Sequence, residues 1–240
     1  MEEPIKHFYS LKGFDKINIK ECVLGDKYVA IMNSSGNIGV CATLGNEMND
    51  KLLLDEMPEL DNPVHRIILN AYYNSIYNYE RDYKDIKDIF DLIDFSKYHR
   101  IVMIGYFESL YRKFKDTRIP LEVFDIHKES NVLSDISNMT DSLREAEIII
   151  LTGTTIFNNT FRDVLQVAPV GCNIFLLGPS NILSEDMFMY RNIKIIFGSV
   201  FNAGDRRVLD SVSRGDGTRG FLPYLKKVYI LKEGYSDEIQ

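Results

Sequence analysis

The chain has 240 residues, of which 45% are hydrophobic and 26% are charged, and its formal net charge is -7. This length and composition support a substantial hydrophobic core, in one large domain or two small ones. The excess of acidic residues argues against a general nucleic-acid-binding protein. The apolar runs are too short to span a membrane, and the N-terminal segment lacks the apolar stretch of a secretory signal. We therefore expect a cytoplasmic protein that has no membrane partner.

The three cysteines, Cys22, Cys41 and Cys172, form neither a CxxC pair nor a metal-finger spacing. Each of them lies in or beside an apolar run. We expect three reduced and mostly buried thiols.

The first 80 residues predict a small α+β domain. Short β-branched runs separated by turn residues predict three strands, at residues 17–23, 28–32 and 38–43. A polar, acidic loop follows, with a short helical turn around 51–57. Apolar residues then recur at helical spacing and predict a helix over 64–79. Residues 1–80 should therefore form a three-stranded sheet backed by helices.

The remainder of the chain predicts a second domain of another kind. Residues 81–98 are charged and compatible with a connecting helix. From residue 99 onwards predicted strands alternate with helices. The strands cover 100–104, 121–124, 148–151, 173–177, 192–197 and 228–231, and the helices cover 109–115, 133–146, 160–168 and 206–213. Such alternation indicates an α/β fold, with a Rossmann-like parallel sheet over 99–240.

Small and polar residues follow four of the predicted strands, where ligands bind in open α/β sheets. Backbone amides, hydroxyls and one carboxylate suit a phosphate, a carboxylate or a sugar-like group. The alternative is that small residues merely turn each strand into a helix, but two neighbouring loops of this kind favour a ligand site. The candidate residues are Gly105, Tyr106, Asp125, Gly153, Thr154, Thr155, Gly178, Pro179, Ser180 and Asn181.

The first of these loops does not match a dinucleotide-binding fingerprint. The stretch after Gly105 lacks the glycines of G-x-G-x-x-G, and Glu108 places negative charge where a pyrophosphate would lie. Asp125 ends the second strand, where it either binds a ribose or caps the following turn. An NAD-type cofactor is therefore not expected, whereas an adenosine-containing ligand without tight pyrophosphate contacts stays open.

Familiar catalytic motifs are absent from the sequence, which contains no G-x-S-x-G, P-loop or H-E-x-x-H. The four histidines are scattered, and His127 is the one near the expected site. A glycine-rich run over 213–220 carries Arg214 and Arg219, which either grip an anion by bidentate hydrogen bonds or lie in a mobile surface loop. Whether the protein catalyses a reaction stays open, and no cofactor is predicted.

The chain contains the runs TGTTIFNNT, LLGPS and SRGDGTRGF. Together they resemble the archaeal and bacterial family described as putative heavy-metal chelation, and the first part is similar to the enolase N-terminal-like domain of that family. The resemblance implies two domains with a cleft between them, and metal chelation linked to corrinoid synthesis. It marks Gly153, Thr154, Asn158, Thr160, Gly178, Pro179 and Ser180 as site positions. Asn159 stands where the family pattern leads us to expect glycine.

These motifs lack the thiolate and imidazole clusters that soft or borderline metals prefer. They suit an organic anion better, so we expect a small anionic or nucleotide-like ligand in the interdomain cleft. One alternative is a metal carrier, which would need Asp125, His127, Asp216 or the cysteines to converge. The other is a scaffold without chemistry.

The first domain also predicts association. Its end strands carry few of the charges that protect a sheet edge. The predicted helix over 64–79 carries four tyrosines, Tyr72, Tyr73, Tyr77 and Tyr79, a residue type that is enriched at interfaces. We therefore expect a homodimer made through the first domain, unless the second domain covers both surfaces.

Overall fold

A computed structural model describes residues 2–54, 57–83, 87–128 and 130–235. The strands in these ranges are β1 Ile19–Leu24, β2 Tyr28–Asn33, β3 Ile38–Ala42, β4 Ile101–Ile104, β5 Glu122–Phe124, β6 Ile148–Thr152, β7 Asn173–Leu177, β8 Ile193–Phe201 and β9 Leu225–Leu231. The α-helices are α1 Pro4–Lys12, α2 Lys51–Leu54, α3 Pro63–Tyr77, α4 Ile89–Leu92, α5 Glu108–Thr117, α6 Met139–Glu145, α7 Thr154–Phe157, α8 Phe161–Val167, α9 Arg206–Ser213 and α10 Thr218–Phe221. None of these helices is long and apolar enough to cross a membrane.

The strands form two sheets. An antiparallel sheet has the order β1-β2-β3, and a six-stranded sheet has the order β5-β4-β6-β7-β8-β9, in which all strands except β9 run parallel. The α/β prediction, with a Rossmann-like sheet preceded by a small α+β unit, is confirmed. Because β5 lies on the far side of β4, the strand order reverses between β4 and β6. This switch point is where ligands bind in doubly wound sheets.

Helix α3 joins the two sheets. Pro63 occupies its first turn and the Asn62 side chain accepts from the amides of Val64 and His65, which explains why the helix starts there. Most of its residues are buried, polar ones included, as expected for a helix enclosed on all sides. One hydrophobic core includes side chains of the small sheet and of the six-stranded sheet. The division into domains at 1–80, 81–98 and 99–240 stays a prediction.

The predicted connecting helix over 81–98 is not continuous. Within the described part of this stretch, the chain forms only the single turn α4 and a 3₁₀ turn at Phe95–Lys97, while residues 84–86 lie outside the described ranges. Asp88 and Asp94 each cap the start of a new turn. Aspartate competes with helix continuation in this way because its carboxylate satisfies free amides at a helix start.

Two further predictions need correction, one helix was not predicted, and one predicted turn is found. The last strand runs antiparallel to β8 rather than parallel, because α9 packs against β1 and β2 instead of returning along the six-stranded sheet. Helix α1 was not predicted, although Glu3 caps it and Pro4 begins it. The predicted helix over 133–146 is shorter, since a 3₁₀ turn at Ile136–Asn138 precedes α6. The helical turn predicted over 51–57 is α2, and residues 55–56 lie outside the described ranges.

Candidate functional site

The loops after β4 and β6 meet at the switch point. Ile104 pairs with Leu151, which brings Gly105 beside Thr152. A Cβ atom at Gly105 would lie 2.8 Å from the Cβ of Thr152, so only glycine fits this crossing, and its φ of +90° also favours glycine. The hydroxyls of Thr152 and Thr154 lie 3.1 Å apart, and both residues are partly exposed. Two hydroxyls of partly exposed threonines therefore stand at the topological switch.

Aromatic and small residues surround this hydroxyl pair. Thr152 pairs with Leu177, the last residue of the neighbouring strand β7, and Gly178 comes directly after it. The ring of Phe107 lies 3.7 Å from where a Cβ of Gly178 would be. We call this partly exposed set the switch-point lip, and it consists of Gly105, Tyr106, Phe107, Thr152, Thr154, Gly178 and Pro179.

Asp125 supports the lip through the backbone. One of its carboxylate oxygens accepts from the amide of Tyr106 at 2.8 Å, and the other accepts from the amide of His127 at 2.9 Å. Lys128 donates to the carbonyl of Tyr106 and lies over its ring. Of the two roles considered for Asp125, the hydrogen bonds show the turn-capping one. The His127 side chain is exposed beside it.

The loop after β7 points its polar groups towards α3 rather than towards the lip. Ser180 is 3% exposed, and its hydroxyl accepts from the amide of Ala42 in β3 at 3.1 Å. Asn181 is fully buried and donates its side-chain amide to the carbonyl of Phe197 in β8. Both residues thus bond within the chain, between the two sheets.

Gly153 and Thr155 belong to this same buried side. A Cβ at Gly153 would lie 2.3 Å from the side-chain oxygen of Asn181, so a glycine is required for the loops after β6 and β7 to pack. The Thr155 hydroxyl is buried and donates to the carbonyl of Thr152 at 2.8 Å. The run from Thr152 to Thr155 therefore alternates between partly exposed and buried residues.

Asn158 and Thr160 lie at the far end of α7. The Asn158 side-chain oxygen accepts from both the amide and the hydroxyl of Thr160, which closes a local cap ahead of α8. The carbonyls of Ile156 and Phe157 accept from Arg66, whose guanidinium also forms a buried ion pair with Glu3. Asn158 contacts the switch-point lip through its backbone, because its amide donates to the carbonyl of Thr154 at 3.1 Å, whereas the side-chain hydrogen bond between Asn158 and Thr160 stays within the cap.

The two candidate arginines are paired with carboxylates. Arg214 donates to Asp216 at 3.0 Å, and Arg219 donates to Glu108 at 3.0 Å, while Arg112 also pairs with Glu108. The second pair places the glycine-rich segment 213–220 beside the loop after β4. Segment 213–220 is also tied to the small sheet, because Thr218 hydrogen-bonds the Tyr28 hydroxyl. Arg219 thus stands near the lip through its pair with Glu108, and Arg214 is exposed with Asp216 as its carboxylate partner.

The described residues do not fit a heavy-metal centre. Among them, no three histidine, cysteine, aspartate or glutamate side chains come together as a group that could hold a metal ion. The cysteines are free thiols, as predicted, and Cys41 and Cys172 are buried. Burial raises the pKa of Cys22 and of Cys172 to about 12, and burial raises the pKa of Cys41 still further. Burial therefore disfavours the thiolate form that binds a metal.

Sequence reasoning did not include Phe107, which the structure places in the lip. It lies between the candidate residue Tyr106 and the start of α5, and this position is the signal that could have found it. Thr152, the first residue of the run TGTTIFNNT, ends β6 at the expected strand end.

Comparisons with known proteins agree with this architecture. A family model, DUF364, described as "Putative heavy-metal chelation", matches residues 88–231. The chain belongs to the DUF364 family. A DUF364 protein of unknown function from Pyrococcus horikoshii has a similar structure, with a TM-score of 0.75, 21% identity, and coverage of 89% of this chain and 92% of that one. Another, from Desulfitobacterium hafniense DCB-2, has a TM-score of 0.76 and 17% identity, with coverage of 95% and 98%. No curated protein matches the chain.

Proposed function

We propose that this DUF364 protein binds a small anionic or nucleotide-like molecule at the switch-point lip, between the two sheets. The observation that supports this most directly is the half-exposed hydroxyl pair of Thr152 and Thr154 at the point where the strand order reverses. Gly178 carries no side chain there, so a ligand can approach its backbone beside the Phe107 ring, whereas the space at Gly105 is filled by Thr152.

The surrounding charges suit an anion. Glu108 pairs with both Arg112 and Arg219, so its negative charge is offset. Arg219 is 90% exposed and can exchange its carboxylate partner for a ligand phosphate or carboxylate at low cost, since exposed ion pairs contribute little free energy. An organic anion that itself carries a metal, such as a corrinoid precursor, would reconcile this site with the family description.

A thermal-shift screen tests the proposal with inorganic phosphate, AMP, ATP, a sugar phosphate and a corrinoid precursor. A probe present at 100 times its Kd adds about 2.7 kcal/mol to the free energy of unfolding. For a chain of this length the melting temperature would rise by roughly 5–10 °C.

The variant Thr154→Val should weaken the binding of an active probe about tenfold, which corresponds to about 1.4 kcal/mol. The matched control is Thr160→Val, which removes a hydroxyl that bonds only within its own cap. No shift with any probe, or equal weakening by both variants, would count against the proposal.

The scaffold alternative has an observation in its favour. Thr155, Ser180 and Asn181 are small polar motif residues, yet each is buried and bonded to the chain's own backbone. Residues of a family motif can therefore be retained for packing rather than for ligand binding. The ligand screen separates the two functions, since a scaffold is not stabilised by any of these probes.

We also propose that the protein forms a homodimer through the edge of the small sheet. Tyr72, Tyr73 and Tyr77 do not supply the interface, because all three are buried: Phe8 of α1 packs against Tyr73 and Tyr77, and Phe14 packs against Tyr72. The support is instead β1, which lies at the edge of its sheet and, among the described residues, pairs with β2 alone. Light scattering at micromolar concentration should give the mass of two chains, and the mass of one chain would reject the dimer.

A further inference from the structure

Three asparagines occupy successive turns of α3. Asn70, Asn74 and Asn78 lie four residues apart, so they share one face of the helix and its C-terminal cap. All three are 0–1% exposed. We call them the asparagine row.

The asparagine row bonds three consecutive carbonyls of one loop. Asn74 donates its side-chain amide to Pro179 at 3.4 Å, Asn70 donates to Ser180 at 2.8 Å, and Asn78 donates to Asn181 at 3.1 Å. Each of these carbonyls lies in the loop after β7, whose first residues, Gly178 and Pro179, belong to the switch-point lip.

The same side chains reach both sheets. Asn74 also donates to the carbonyl of Val40 in β3, and Asn78 donates to the carbonyl of Ser199 in β8. The side-chain oxygen of Asn78 accepts from the amide of Leu183 at 2.8 Å. The row therefore connects the loop by hydrogen bonds to the small sheet on one side and to the large sheet on the other.

Stability alone does not explain asparagine at these positions. Among the described residues, the side-chain oxygens of Asn70 and Asn74 are buried without a hydrogen-bond partner, which costs free energy relative to an apolar core residue. Buried polar side chains that cost stability are retained in some proteins because they specify one geometry. Here the geometry specified is the position of the loop after β7.

We propose that Asn70, Asn74 and Asn78 are positioning residues. Through their hydrogen bonds to the loop after β7, they fix where Gly178 and Pro179 of the switch-point lip lie relative to the small sheet. This inference rests on the proposed function, because the lip matters only if a ligand binds there. The positioning of the loop can nevertheless be measured without a ligand. It predicts that α3 and residues 178–183 open together as one unit rather than separately.

A fluorescent reporter tests the positioning directly. The chain contains no tryptophan, and the Phe107 ring lies against Gly178, so Phe107→Trp introduces one indole at the lip. In that background, Asn70→Ala and Asn74→Ala should shift the indole emission and increase its quenching by acrylamide about twofold. The matched control is Asn192→Ala, an asparagine that is 6% exposed and donates to the carbonyls of Pro169 and Cys172. It should leave the emission unchanged.

Hydrogen exchange provides a second measurement that does not depend on the variants folding well. In the unaltered protein, the Leu183 amide should exchange at a rate within about tenfold of the α3 amides, because one opening exposes both. In Asn78→Ala, the Leu183 amide should exchange at least about tenfold faster, and in Asn192→Ala it should not.

The outcomes separate this inference from the proposed function. If Leu183 exchanges much faster than α3 in the unaltered protein, or if the row variants leave the indole emission unchanged, the positioning role is rejected whatever the ligand screen shows. If the row variants move the emission while inorganic phosphate, AMP and the other probes fail to bind, the positioning role stands and the proposed function fails.

Discussion

The loops after β6 and β7 have two sides, which carry the same residue types in different roles. On the side that faces α3, the hydroxyls of Thr155 and Ser180 are buried and bonded to backbone groups. On the side of the switch-point lip, Thr152 and Thr154 are partly exposed and their hydroxyls lie 3.1 Å apart. Neighbouring residues of one motif therefore divide between packing and a candidate site.

The difference teaches that a small polar residue after a strand is not by itself a ligand residue. In an open sheet both faces of the strand end meet solvent or a ligand, but here α3 occupies one of them. The buried side needs glycine at position 153 because Asn181 packs directly on it. A motif seen in sequence thus combines residues that build the loop with residues that the loop presents.

The largest effect should come from the ion pair that anchors the buried side. Arg66→Ala leaves Glu3 buried without its partner and removes the donors to the carbonyls of Ile156 and Phe157. Breaking a buried pair in this way typically costs about 3–5 kcal/mol of unfolding free energy. Urea denaturation measures this loss of unfolding free energy. The control is Arg81→Ala, whose exposed pair with Glu185 should be worth about 0–1 kcal/mol. Equal losses in the two variants would contradict the comparison.

A glycine pair should give effects of opposite sign. Gly153→Ala forces a Cβ to within 2.3 Å of the Asn181 side chain and 2.9 Å of its backbone nitrogen, so overpacking should cost about 1–3 kcal/mol. Gly171→Ala meets no atom within 4 Å and should instead stabilise the protein by about 0.4–1 kcal/mol through the unfolded chain. Thermal unfolding of both variants measures the two changes in stability. An unchanged stability in Gly153→Ala would show that the buried side can relax around the added methyl group.

Periodicity and turn residues were sufficient for most of the fold. The strands of both sheets and helix α3 follow from β-branched runs and helical spacing, because these patterns reflect which face each segment buries. The direction of β9 could not be predicted in this way. It depends on α9 packing against the small sheet, and such a contact between distant parts of the chain leaves no local signal.

The candidate site was predicted only as a neighbourhood. Sequence reasoning placed the strand ends correctly at one edge of the sheet, but it could not assign which hydroxyls face outward, since that depends on how α3 docks. A signal for the docking does exist in the sequence. Three asparagines at four-residue spacing along a largely apolar helix and its C-terminal cap indicate a buried polar face that must find hydrogen-bond partners.

The smallest expected effect is also the sharpest test of the comparison, because it uses adjacent residues and one substitution. Thr155→Val removes a buried hydroxyl and leaves the Thr152 carbonyl without that donor, which should cost about 1 kcal/mol of unfolding free energy. Thr154→Val removes a half-exposed hydroxyl whose main partner is the Thr152 hydroxyl, so the cost should stay within about 0.5 kcal/mol. If urea denaturation gave the reverse order, the hydroxyl of Thr154 would be part of the packing. The switch-point lip would then lose the residue that best supports a ligand site.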